Sequence, residues 1–170
     1  MEDYVYKIGE KVIYGNTGVC VVTDITKVVS PGIDSDRVYY VLKPVFDSGT
    51  IYAPTCDCAV PMRKIVTRKE AEALIDMIPT LTAKAFHGDA MRELEEHYKG
   101  KIRGCTCADL IELTMSIYAK RDGGKFGAID KRFMKQAEAL LFGEFSVVLG
   151  IAKDEVAEYI DSRVKLVSVK

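Results

Sequence analysis

The fold of this chain is decided by residues 7–22, which read KIGEKVIYGNTGVCVV. Two runs rich in β-branched and aromatic residues, Lys11–Tyr14 and Val19–Thr26, flank the sequence Gly15-Asn16-Thr17-Gly18. Glycine and asparagine tolerate positive φ angles, so this linker can reverse the chain sharply. The stretch therefore predicts two antiparallel strands joined by a tight turn.

Two further β-rich runs follow, Val38–Lys43 and Thr50–Ala53, and Pro44 and an Asp-Ser-Gly turn separate them. Short strands at this spacing predict a small, strongly bent antiparallel sheet or barrel. Pro54 cannot donate a ladder hydrogen bond, which indicates that the last of these strands lies at an edge. Such an edge is either protected by its shortness and its proline, or open to a partner strand.

Helical periodicity replaces the β pattern from Thr67 onward, where Thr67 and Glu70 form a capping box. Residues 67–79 are the first predicted helix and residues 80–88 a connector. The further predicted helices are Asp89–Lys99, ended by Gly100, then Thr106 to Gly123, Ile129–Leu149 and Lys153–Lys165. Short glycine-containing turns between amphipathic helices indicate a bundle. We therefore expect an α+β protein, with a β module at residues 1–66 and an all-α module at residues 67–170.

Composition indicates a soluble, cytoplasmic protein. The 170 residues are 48% hydrophobic and 29% charged, and no apolar run approaches the roughly 20 residues that span a bilayer. The first residues are acidic, whereas a signal peptide begins basic and then becomes apolar. Five cysteines, an odd number, favour free thiols in a reducing compartment.

Positive charge is concentrated in one segment although the whole chain has a net charge of −1. Residues 120–135 contain six basic side chains against two aspartates. This local excess predicts either a surface that meets a phosphate backbone or a solvated corner between two helices.

Catalytic motifs are missing from the sequence. His87 and His97 are the two histidines, and no nucleophile lies in an activating motif around either. The pairs Cys56-Asp57-Cys58 and Cys105-Thr106-Cys107 could form a tetrahedral thiolate site, but structural zinc usually has at least two residues between paired ligands. We therefore expect no enzyme activity, no metal and no cofactor, with a cysteine-based metal or redox sensor as an alternative.

Several segments in the same order resemble the RNA-polymerase-interacting domain shared by CarD-type transcription regulators and transcription-repair coupling factors. In the β module these are residues 6–14 (YKIGEKVIY), 18–19 (GV), 39–43 (YYVLK) and 50–54 (TIYAP). In the helical module residues 94–100 (LEEHYKG), 118–122 (YAKRD) and 130–144 (DKRFMKQAEALLFGE) are similar to the CarD branch. The resemblance thus covers nearly the whole chain.

The resemblance implies a Tudor-like β module that docks on the β-subunit lobe of bacterial RNA polymerase by pairing with an exposed strand. The strand residues here are Thr50, Ile51, Tyr52, Ala53 and Pro54. The helical module would contact promoter DNA at the upstream edge of the melted bubble, without reading sequence. Family members wedge a tryptophan into the minor groove there. This chain has no tryptophan, and the position falls on Phe86.

The predicted protein is a monomeric, non-enzymatic regulator that binds polymerase and modulates open-complex stability. Its predicted DNA contacts in the minor groove and on phosphates are Lys84, Phe86, His87, Lys120, Arg121, Lys125, Lys131 and Arg132. The family's basic residues after the wedge are missing, since His87 is followed by Gly88 and Asp89. A protein-only polymerase adaptor is therefore the first alternative, and in it Phe86 would staple the start of the next helix.

Overall fold

The structure is a computed structural model that describes residues 3–104 and 106–168. The chain folds as two units whose boundary in the sequence falls between Ile65 and Val66. The first unit is an antiparallel sheet and the second is helical, which confirms the predicted α+β class.

The β unit is a five-stranded sheet with the spatial order β4-β3-β2-β1-β5. The strands are β1 (Lys11–Tyr14), β2 (Gly18–Lys27), β3 (Val38–Pro44), β4 (Ile51–Pro54) and β5 (Met62–Lys64). In the predicted hairpin Tyr14 lies opposite Gly18, and Gly15 and Gly18 have φ angles of +44° and +84°. The pattern missed β5, because three residues are too few to show alternation.

One face of this sheet forms a small hydrophobic core. Alternate residues of the central strands supply it, because successive side chains of a strand point to opposite faces. The buried members are Val12, Cys20, Val22, Tyr40, Leu42 and Ala53. The rings of Tyr4 and Tyr6 pack edge-on against the ring of Tyr40, with centroids 6.4 Å and 5.5 Å away. The N-terminal segment thus closes the core from outside the sheet.

The helical unit contains α1 (Arg68–Met77), α2 (Met91–Arg103), α3 (Cys107–Asp122), α4 (Ala128–Leu149) and α5 (Val156–Ser168). The capping box at the start of α1 is confirmed, since Thr67 Oγ1 accepts from the Glu70 N–H and the Glu70 carboxylate accepts from the Thr67 N–H. Among the described residues, no helix has the length and apolar character that crossing a bilayer requires.

The predicted bounds of α2 and of the last helix are wrong, since these helices are Met91–Arg103 and Val156–Ser168. Gly100 lies inside α2, which continues to Arg103 because Leu94, Tyr98 and Ile102 extend one buried stripe at four-residue spacing. The last helix begins at Val156, and Lys153–Glu155 before it is a short 3-10 turn.

Helix α4 provides the centre of the helical core. The predicted stripe on α4 is buried at Phe133, Ala137, Leu140, Leu141 and Phe145, and Val148 is partly buried. It packs against α3 through Leu110, Leu113 and Ile117 and against α1 through Ile75. The helical unit therefore has its own hydrophobic core.

Candidate functional site

Strand β4 forms one edge of the sheet. It pairs with β3 on one side, where Leu42 lies opposite Ile51 and Tyr40 opposite Ala53. Its other side has no neighbouring strand among the described residues. The strand that the sequence placed at an edge is thus available to a partner.

The main-chain groups of β4 alternate between β3 and the open edge. The Thr55 N–H donates to the Val38 carbonyl of β3 at 3.0 Å. In an antiparallel ladder every second residue points the same way, so Ile51 and Ala53 also direct their main chains toward β3. Tyr52 therefore directs its N–H and its carbonyl outward, and Pro54 directs only a carbonyl outward.

The side chains of β4 follow the same alternation. Ala53 is fully buried and Ile51 packs on the core of the β unit. Tyr52 lies on the opposite face with 41% of its surface exposed, and Thr50 before it is exposed as well. Tyr52 thus presents both its main chain and its ring to a partner. The sequence could not show which of Ile51 and Tyr52 directs its main chain outward, because it does not give the register of β4 against β3.

The prediction that Lys120 belongs to an exposed basic cluster is wrong. Lys120 lies inside the helical unit with only 6% of its surface exposed. Its Nζ donates to Asp130 Oδ1 at 2.8 Å. Asp130 also accepts from the Tyr98 hydroxyl at 2.6 Å and from the Gly127 N–H at 2.8 Å. Lys120 therefore joins α3 to α4 and its ammonium does not face a phosphate.

The buried carboxylate of Asp130 is ionised within this network. Burial acts to raise the pKa of Asp130, but the hydrogen bonds from Lys120, Tyr98 and Gly127 outweigh burial and hold the pKa below its ordinary value. Burial and the adjacent carboxylate raise the pKa of the Tyr98 hydroxyl. The Asp130 carboxylate thus has a cation and two further hydrogen-bond donors around it, and buried ions need such partners to be tolerated.

The other predicted cations of this corner are exposed. Lys125 and Lys131 have no ion-pair partner within residues 3–104 and 106–168. The Arg121 guanidinium lies 4.6 Å above the Tyr118 ring and 3.8 Å from Asp122. Arg132 forms an ion pair with Glu95 of α2. Of the predicted phosphate contacts in this segment, Arg121, Lys125 and Lys131 therefore remain without a strong internal partner.

The segment around Phe86 packs on the helical unit. The Phe86 ring is half-buried and stacks on His97 of α2, with centroids 3.7 Å apart and planes 8° apart. Lys84 and His87 on either side are exposed. Phe86 thus contacts the second turn of α2. The sequence did not reveal His97 as the partner, because the two residues belong to no common periodic pattern.

The surroundings of His97 favour its neutral form. Burial lowers the pKa of His97, and the nearby Lys101 ammonium lowers it further. A neutral imidazole stacks face to face on a phenyl ring without losing the hydration of a charge. One face of Phe86 is therefore occupied by His97.

The cysteines are distributed over both units. Cys56 is exposed, Cys58 is half-buried and Cys20 is buried, with burial raising the pKa of Cys20 to about 11. The Cys107 thiol donates to the buried Glu144 carboxylate at 3.1 Å. Cys105, a member of the predicted cysteine pairs, lies outside the described residues. Within the described part of the chain no group of three or more metal-ligating side chains comes together.

The model of the CarD-like/TRCF RID domain matches residues 6–66. This match covers β1 through β5 and ends at Val66, before α1. No curated protein matches the chain.

Proposed function

Residues 6–66 form a CarD-like RNA-polymerase-interacting domain, and from this premise we propose that the chain is a transcription regulator that docks on the β-subunit lobe of RNA polymerase through the edge of β4. One observation carries the proposal: β4 is an edge strand whose central residue, Tyr52, directs its main chain outward. An incoming polymerase strand would pair with Tyr52, and the exposed ring would contribute specificity.

The proposal extends to DNA through the helical unit. The contacts would be made with phosphates by Arg121, Lys125 and Lys131, which are exposed at the corner between α3 and α4. Contacts of this kind position a protein without reading sequence. With a net charge of −1 the chain would bind DNA weakly by itself. Docking on polymerase would raise the effective concentration of the helical unit near the promoter.

Lys84, Phe86 and His87 form the second proposed DNA contact. Lys84 and His87 are exposed and can reach phosphates, whereas the Phe86 ring already stacks on His97. Inserting Phe86 at an unstacked base step would require part of this stack to be given up, at a cost of about 0.5–1.5 kcal/mol. A Phe86 wedge would therefore act only where the DNA is already distorted, as at the upstream edge of a bubble.

The effect on transcription would follow from unequal binding to two promoter states. A factor that binds closed and open complexes equally does not change the equilibrium between them. A factor that binds the open complex more tightly stabilises it. We propose that this regulator changes the lifetime of the open complex.

The test of the docking strand uses two variants of one residue. Tyr52→Pro removes the outward N–H, and Tyr52→Thr keeps that N–H and removes the ring. We expect Tyr52→Pro to abolish capture of the isolated β lobe and Tyr52→Thr to weaken it. Equal binding by a folded Tyr52→Pro protein would place the interface elsewhere. Proline at Ile51 is unsuitable, because the main chain of Ile51 pairs with β3.

The adaptor alternative is favoured by the packing of Phe86 against His97, since this aromatic ring is engaged within the protein. In that alternative the helical unit binds a protein and leaves DNA untouched. Salt-dependent binding to a forked promoter duplex separates the two, because phosphate contacts release counterions and their affinity falls steeply with salt.

A further inference from the structure

The helical unit contains an apolar groove of about 500 Å³, bounded by α1, α2, α3 and the segment that joins α1 to α2. Its lining includes Leu74, Ile111, Met115 and the exposed Ala108. At one end Met77 is 51% exposed and Leu81 is 38% exposed. Methionine side chains adapt to partners of different shape. The groove is therefore open apolar surface that the helical core leaves uncovered.

One wall of the groove is a segment with free main-chain groups. Residues 82–88 form neither helix nor strand. The Lys84 carbonyl accepts a hydrogen bond from Ser116 Oγ at 2.7 Å, which fixes the segment on α3. The other N–H and carbonyl groups of residues 82–88 have no hydrogen-bond partner in the described part of the chain. These main-chain groups are thus not used by the fold of the described chain.

The rim of the groove carries one uncompensated positive charge. Lys84 is exposed and forms no ion pair within residues 3–104 and 106–168. Across the groove the Lys101 ammonium pairs with Glu112 of α3 at 3.2 Å. Lys101 is thus neutralised locally, and Lys84 is left to attract a carboxylate.

We propose that this groove docks an extended, acidic segment of a partner protein. The main chain of that segment pairs with residues 82–88, an apolar side chain enters between Leu74, Ile111 and Met115, and a carboxylate lies at Lys84. The apolar lining and the single free cation fit such a peptide better than a nucleic acid, which needs several cations along its phosphates. This contact is separate from the proposed polymerase-docking strand. It develops the adaptor alternative, because Lys84 would then meet a carboxylate and not a phosphate, and Phe86 would line the groove.

The experiment measures fluorescence anisotropy of labelled ten-residue peptides added to the full chain. The probe alternates leucine and glutamate, and its matched control alternates leucine and lysine. Ala108→Gln fills the groove from an exposed helical position, and Ala139→Gln makes the same change at an exposed position of α4. Lys84→Glu reverses the charge of the rim. The melting temperature of each variant shows that it is folded.

We expect the leucine–glutamate peptide to bind the wild type and the Ala139→Gln variant equally, and the Ala108→Gln variant at least about tenfold more weakly. In Lys84→Glu the preference should pass to the leucine–lysine peptide. The proposal is overturned if the leucine–glutamate peptide does not saturate the wild type. It is also overturned if the Ala108→Gln variant binds this peptide as tightly as the wild type does. Displacement of the peptide by a promoter duplex at low salt would assign the groove to DNA and overturn it as well.

Discussion

Replacing Lys120 with methionine separates a structural lysine from a DNA-binding one. Lys120 and Asp130 are 6% and 2% exposed, and the ammonium lies 2.8 Å from the carboxylate. Methionine keeps most of the length of the side chain and removes the charge. The buried Asp130 carboxylate is then left with the Tyr98 hydroxyl and the Gly127 N–H as its donors. Breaking one side of a buried pair costs about 3–5 kcal/mol. We expect the free energy of unfolding to fall by that amount.

The pH dependence of this loss provides a sharper criterion. In the wild type the pKa of Asp130 lies below its ordinary value of 3.8, so its contribution to stability is present above pH 3.8 and is lost as pH falls through the folded pKa. In Lys120→Met the largest remaining influence is burial, which raises that pKa. As the solution is acidified, protonation of Asp130 then removes the unpaired buried charge from the variant. The difference in stability between the two proteins should therefore shrink toward low pH.

Urea denaturation at a series of pH values measures this difference, with Lys131→Met as the control at an exposed position of α4. The control should stay within about 0.5 kcal/mol of the wild type. A loss below about 1 kcal/mol in Lys120→Met, or a difference independent of pH, would refute the role assigned to the buried network. Below its melting temperature, Lys120→Met should keep the salt dependence of promoter binding.

Three further outcomes are expected. Charge reversal of Arg121 and Lys131 together should reduce the slope of log open-complex lifetime against log salt concentration by about 2, the value for two lost phosphate contacts. An unchanged slope would show that this corner is only a solvated surface. Phe86→Ala should shorten open-complex lifetime while sparing capture of the β lobe, whereas a lower melting temperature with an unchanged lifetime would show that Phe86 only packs on His97. Gly15→Ala should lower the free energy of unfolding by about 1–3 kcal/mol. The φ angle of Gly15 is +44°, and a Cβ there would lie 2.6 Å from Val60 Cγ1. An unchanged denaturation midpoint would contradict this prediction.

The sequence predicted the elements whose local signals and burial agree. The turn at Gly15, the capping box at Thr67 and the stripe of α4 each combine a local signal with a consistent apolar pattern, and all three are confirmed. The end of α2 was mispredicted because the local signal of Gly100 opposed the tertiary burial of Ile102, and burial was stronger.

The candidate site was less predictable, because its properties depend on three-dimensional partners. Lys120 and Lys131 look alike in a charge count, yet Lys120 meets a buried carboxylate ten residues away and Lys131 faces solvent. A buried lysine could have been suspected from its place on α3, where Leu113, Ile117 and Lys120 are three or four residues apart. For Phe86 no such signal exists, since its partner His97 is set by the path of an irregular segment.

The proline at the end of β4 has a consequence for self-association. Of the two residues in β4 whose main chains face the open edge, Tyr52 can donate a hydrogen bond and Pro54 cannot. The edge therefore offers a partner a single full pair of hydrogen bonds, which is too little to template the stacking of further copies. In the proposed docking, the polymerase strand would have to gain its remaining affinity from side-chain contacts. The proline that limits self-association would thus make binding depend on side-chain fit.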